Sequence, residues 1–206
     1  MKPDRVPAGR RALLRAALLA CLPLAASVVG GCKPGNPPFN GVDITGADYA
    51  RDFSLVDSSG KTRTLADFRG KVVAVFFGYT HCPDVCPTTM ADLAQVKRKL
   101  GPDGDKLQVI FVTLDPERDT AALLDSYVPK FDASFVGLRG DAAQTAKTAK
   151  EFKVFYQKVD GDSPDSYTLD HTAGTYVFDR EGKPRLFIRY GAPADAVEAD
   201  LRRLLG

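Results

Sequence analysis

Six consecutive apolar residues, Val72 to Phe77, form an unbroken run in the middle of the chain. A run of this kind suits a strand buried on both faces. Leu107 to Thr113 reads as a second buried strand, and between the two Met90, Leu93, Val96 and Leu100 recur at helical spacing up to Gly101. Strand, helix and strand make a crossover unit. Ahead of it, Asp52 to Val56 reads as a strand, Asp57-Ser58-Ser59-Gly60 as a turn and Lys61 to Thr64 as the return, a hairpin preceding the main sheet. Leu65 to Phe68 is a short helical turn closed by Gly70. Further on, the pattern predicts a helix over Ala121 to Val128, a strand over Ser134 to Leu138 and a helix over Ala142 to Phe152. The period then shortens: Val154 to Val159 reads as a strand, Thr175 to Phe178 and Leu186 to Tyr190 pair across Asp179-Arg180-Glu181-Gly182, and Pro193 opens a last helix through Leu205. There is no internal repeat.

The first thirty residues follow another logic. Lys2, Arg5, Arg10, Arg11 and Arg15 stand against one acid, Asp4, before an apolar stretch from Ala16 to Val29 that contains Pro23. This is the charge pattern of an export signal, and the stretch is shorter than the roughly 20 residues of a spanning helix. Val29-Gly30-Gly31 before Cys32 resembles a bacterial lipobox, in which the cysteine becomes a lipidated N-terminus; an uncleaved anchor with an incidental cysteine is the alternative. Arg10-Arg11 loosely resembles a twin-arginine signal, which leaves the export route open. Residues 1–31 are thus expected to be the signal, 32–45 a lipidated terminus and tether containing Lys33-Pro34-Gly35-Asn36-Pro37-Pro38, and 46–206 the domain, with its first ordered residue between Phe39 and Asp48. Without residues 1–31 the chain keeps 23 of its 28 basic and 25 of its 26 acidic residues, so its formal charge turns from +2 to −2. No clustered basic surface speaks for nucleic-acid binding.

Of four cysteines only Cys82 and Cys86 fall in the domain, and so short a loop would add little as a structural staple. A disulfide, a metal or thiol exchange would each suit the pair in an oxidising exterior. The element order above is that of an α/β thioredoxin-like fold, here with an N-terminal β-hairpin extension and a loop insertion before His171. The run Phe77-Gly78-Tyr79-Thr80-His81-Cys82-Pro83-Asp84-Val85-Cys86-Pro87 resembles the SCO/SenC family. So do Gly41 to Gly46, Leu65 to Lys71, Leu114 to Thr120 and Asp170-His171-Thr172, so that the resemblance covers about residues 39–206. It implies a copper chaperone for the binuclear copper centre of cytochrome c oxidase subunit II, at the periplasmic face of the bacterial cytoplasmic membrane. A periplasmic copper donor and a thiol reductant would be further partners. It also implies Cys82, Cys86 and His171 as metal ligands, and Cys82 with Cys86 as the redox pair that can close a disulfide.

The residues bear on that chemistry independently. Pro87 suits the first residue of a helix, which would set Cys86 at its N-cap and lower both thiol pKa values. Two thiolates and an imidazole form a soft set for copper, although zinc also accepts them. His81, next to Cys82 in extended chain, is expected to point away from the metal. A lone histidine is more often structural, and it is the resemblance that singles out His171, expected on a loop behind the polar stretch Asp160 to Ser166. Asp84 and Asp170 read as solvated turn acids, or as groups steering a cation or partner. Asp119 or Thr120 reads as a helix cap after Asp115 and Glu117, and Phe77 and Tyr79 as packing beneath the site. Alternatives to copper delivery are a thiol-disulfide reductase and a peroxidase, the latter lacking a recognisable peroxidatic loop around Cys82.

Overall fold

The computed structural model describes residues 37–163 and 166–206; the expectations for the signal, for Cys32 and for most of the tether lie outside the described residues. Ten strands occur among these: β1 Val42–Asp43, β2 Leu55–Asp57, β3 Thr62–Arg63, β4 Val72–Gly78, β5 Leu107–Thr113, β6 Val136–Arg139, β7 Tyr156–Val159, β8 Thr168–His171, β9 Gly174–Phe178 and β10 Pro184–Arg189. Four α-helices accompany them, α1 Val85–Lys99, α2 Ala121–Tyr127, α3 Ala142–Glu151 and α4 Ala194–Leu205. Eight strands make one sheet in the order β1-β10-β9-β4-β5-β6-β2-β3, and β7 and β8 form a separate antiparallel arm.

The two apolar runs are its centre. β4 and β5 pair in parallel over their whole lengths, Val72 opposite Leu107 and Gly78 opposite Thr113, and every residue of both is buried. Neither strand can alternate polar with apolar positions, because helices cover both faces. α1 crosses between them and packs against α4, turning Cys86, Met90, Leu93, Ala94 and Val96 inward. β9 lies antiparallel on the other side of β4 and carries β10 beyond it. The mixed sheet, its crossover helix and the C-terminal hairpin and helix match the thioredoxin-like order.

The terminal additions are more closely built in than their polar sequences suggest. The β2–β3 hairpin extends the main sheet, since β2 pairs antiparallel with β6. At the opposite edge Val42 and Asp43 pair with Phe187 and Leu186. Asp200 of α4, almost wholly buried, accepts from the backbone N–H of Asn40 at 3.0 Å and of Gly41 at 2.8 Å. The compact unit therefore begins at Phe39, seven residues before the boundary at 46. The described residues of the polar stretch, 160–163 and 166, lie between β7 and β8, and His171 is the last residue of β8, paired with Tyr156, where the sequence suggested a loop. Among the described residues no helix is long and apolar enough to cross a membrane.

Candidate metal centre

Buried β4 ends at Gly78, and the chain turns through Tyr79 to Asp84 into α1, so both cysteines sit at the strand's C-terminal end. α1 begins two residues earlier than Pro87 suggested. Asp84 is the N-cap and Pro87 the third helical residue, tolerated because the first-turn N–H groups have no intrahelical acceptor. Cys86 thus lies inside the first turn, fully buried, with its N–H donating to Cys82 Sγ at 3.3 Å, while Cys82 is partly exposed; both are free thiols. The lowered thiol pKa expected for Cys86 does not hold. Burial pushes the Cys86 thiol far up, the hydrogen bond with Cys82 adds to this, and the opposing hydrogen bond with the Tyr79 backbone does not offset it.

β8 delivers His171 to the same place. The reactive atoms of Cys82, Cys86 and His171 all lie within 4.8 Å of one another, and Nε2 of His171 is 3.6 Å from Cys86 Sγ. Three donors around one ion, at metal–ligand lengths near 2.0–2.3 Å, are roughly 4 Å apart, so only a small closing motion separates this cluster from a coordination site. Nδ1 of His171 lies 3.1 Å from the Thr172 carbonyl, which can only accept, so that nitrogen carries the proton and Nε2 faces the thiols with its lone pair. Burial lowers the pKa of His171, against the opposing effects of the Thr172 carbonyl and Asp170, and keeps the imidazole in its ligating form. Phe76 and Tyr79 meet the ring edge-on at 6.2 and 6.0 Å.

Phe77, expected beneath the site, faces away from it. Strand alternation sends it to Phe152 and Tyr176, and puts Phe76 and Gly78 on the site's side. Gly78 is necessary there, because a Cβ would stand 2.8 Å from Cys86 Sγ. A glycine ending an apolar strand is the one sequence signal for such a close approach. His81 is exposed and turned toward Thr80 and Asp119, 3.2 and 3.8 Å from its Nδ1. Thr120 caps α2, as expected, by accepting from the Leu123 N–H. Asp119 does something the motif did not disclose: fully buried, it accepts from Thr80 N at 3.0 Å, Thr80 Oγ1 at 2.5 Å and Thr113 Oγ1 at 2.6 Å, tying the cysteine loop to β5. Asp84 is exposed at the helix start, and Asp170 is exposed beside the histidine. Both help line a cavity of about 310 Å³, with Tyr79, Cys82, Leu169 and His171, that opens beside the outer thiol.

The same trio is set in a chain that a family model described as SCO1/SenC matches over residues 42–206. The chain belongs to the SCO1/SenC family. It is 38% identical over 154 residues to the mitochondrial SCO2 homologue of Mus musculus, covering 74% of this chain and 60% of that protein. This chain thus spans about three-fifths of the length of that relative. Among solved SCO structures, Bradyrhizobium japonicum ScoI with copper bound is 42% identical, with a TM-score of 0.68 over 74% of this chain and 97% of that one. Apo Sco1 of Thermus thermophilus is 40% identical, with a TM-score of 0.71 over 82% and 99%.

Proposed function

We propose that this SCO1/SenC protein is a copper metallochaperone, loading copper on Cys82, Cys86 and His171 and passing it to the binuclear copper site of cytochrome c oxidase subunit II. The observation that carries the reading is the convergence of two thiols and one imidazole lone pair within 4.8 Å. These soft donors suit copper, and among the described residues the cluster holds three ligands, one fewer than a structural zinc site usually has. The copper-bound form of the Bradyrhizobium relative supports the same choice. Placement at the periplasmic face of the bacterial membrane, through lipid on Cys32, belongs to this reading and rests on the signal-like sequence alone.

The residues divide the work. Cys86, kept protonated in the metal-free protein by its burial, would release its proton to solvent as its sulfur takes up copper. His171 needs no deprotonation, since Nε2 is already bare. Cys82, partly exposed at the edge of the cavity, is the ligand a recipient's thiolate or imidazole can replace first. The test is transfer: copper-loaded protein mixed with the soluble copper domain of subunit II should give up its metal and generate the recipient's copper spectrum. A protein that binds copper yet transfers none would overturn the reading.

One observation favours a second activity beside the first. A partly exposed Cys82 over a buried Cys86 is the arrangement of an attacking and a resolving thiol, and would let the pair reduce a recipient's disulfide while closing its own. Reduction by metal-free protein, undiminished in His171→Ala, is the expected result; loss of reduction in that variant would contradict it.

A further inference from the structure

Among the described residues, most of the arm that carries His171 faces solvent. β7 is exposed along Gln157 to Val159, and β8 buries only Leu169. Just before β8, however, Tyr167 is buried, and it closes a cluster built on the loop after β5. Its hydroxyl donates to Asp115 Oδ1 at 2.8 Å. Arg118 donates from Nε to Asp115 Oδ2 at 2.5 Å and from a terminal nitrogen to the Tyr167 carbonyl at 2.9 Å. Its guanidinium lies 3.5 Å from the Tyr167 ring centroid, and Lys158 of β7 lies 3.7 Å from the same centroid. Asp115 is 3% exposed, so these are hydrogen bonds in a dry setting, where charge-assisted pairs are strong and geometrically selective. Arg118 also approaches the ring of Tyr79, which packs edge-on against His171.

We propose that Asp115, Arg118 and Tyr167 form a latch that positions the imidazole ligand, holding the arm so that His171 Nε2 meets the two thiols. Tyr167 and His171 are four residues apart on extended chain, about 13 Å, with no turn between them to absorb a shift. A displacement at the latch therefore reaches the ligand. The cysteines are held independently, by β4, α1 and the Asp119 tie, so opening the latch leaves a dithiol site without its imidazole. The three are positioning residues that never touch the metal. Their effect should fall on Cu(II), which favours nitrogen and oxygen donors, and spare Cu(I), which accepts two thiolates.

This inference rests on the copper-binding reading, and the test separates the two. Tyr167→Phe deletes the hydroxyl bond and keeps the ring beneath Arg118; Arg118→Lys keeps the charge and loses the fork. In metal-free protein, hydrogen exchange of the β7 and β8 amides should quicken about tenfold in either variant, with β4 and β5 unchanged, whatever metal the site takes. Cu(II) affinity should fall about tenfold with reduced nitrogen hyperfine coupling in the electron paramagnetic resonance spectrum, Cu(I) affinity staying within about twofold. Adding Tyr167→Phe to His171→Ala should weaken Cu(II) no further. Unchanged arm exchange would overturn the latch, as would equal losses for the two ions or an additive loss in the double variant. Wild-type protein that binds neither ion would overturn the copper reading and leave the exchange result to judge the latch.

Discussion

Gly78→Ala places one methyl group where the structure has least room for it. The new Cβ would stand 2.8 Å from Cys86 Sγ and 3.0 Å from ring atoms of both Phe111 and Phe76. Non-bonded contacts settle near 3.5–4.0 Å, so the thiol must retreat by roughly 0.7–1.2 Å or the strand must bend. Replacing a glycine without strain would stabilise the protein by about 0.4–1 kcal/mol through the unfolded chain. Overpacking a filled core costs about 1–3 kcal/mol, and three simultaneous close contacts place this site toward the upper end. The net expectation is a loss of about 2 kcal/mol in urea unfolding of the reduced, metal-free protein. Because a site must hold its groups within about 0.5 Å, copper affinity should fall at least tenfold as well. Gly41→Ala is the control: its Cβ would meet nothing nearer than 3.5 Å, and stability should change by less than about 1 kcal/mol. Gly78→Ala protein as stable as wild type and equally tight for copper would refute the claim that this glycine makes room for the thiol.

Two further expectations concern buried carboxylates. Asp119→Ala removes the acceptor of three donors, of which only the Thr113 hydroxyl is in a fully buried bond and the two of Thr80 are partly reachable by water; at about 1–3 kcal/mol for the buried one and less for the others, it should destabilise the protein by about 2–4 kcal/mol in urea, and a loss under about 1 kcal/mol would mean that water replaces the carboxylate without penalty. Asp57 is pushed up by burial but pulled further down by hydrogen bonds from Ser59 and Arg63, to about 2. A folded pKa below the unfolded value means that the unfolded chain binds more protons in between. This contribution is therefore present above about pH 4 and is lost as pH falls through 2, and Asp57→Asn should show a shallower acid limb than wild type; an identical limb would contradict the assignment.

Much of the architecture could be read from periodicity, because β4, β5 and α1 owe their places to burial, which writes itself into residue type. Leu107 to Thr113 was bounded correctly for that reason. What escaped was held by hydrogen bonds between distant residues. Val42–Asp43 and β8 are short and exposed, and pair through backbone that carries no composition signal. The same holds for the site: the spacing of Cys82 and Cys86 was visible, whereas the ties from Asp119 to Thr80 and from Tyr167 to Asp115 span 39 and 52 residues. Pro87 misled about the helix start because proline is tolerated anywhere in a first turn. The expected thiol acidity of Cys86 fails because its position on the first turn also buries it, which raises the thiol pKa.

The central claim is that Cys82, Cys86 and His171 bind one copper ion together. Its most direct test is a parallel titration of wild type, Cys82→Ala, Cys86→Ala, His171→Ala and His81→Ala with Cu(I) and Cu(II). One ion per wild-type chain is expected, with both ions lost from either cysteine variant, Cu(II) greatly weakened but Cu(I) retained in His171→Ala, and both retained in His81→Ala. A His171→Ala protein that binds both ions like wild type, while His81→Ala loses them, would contradict the account.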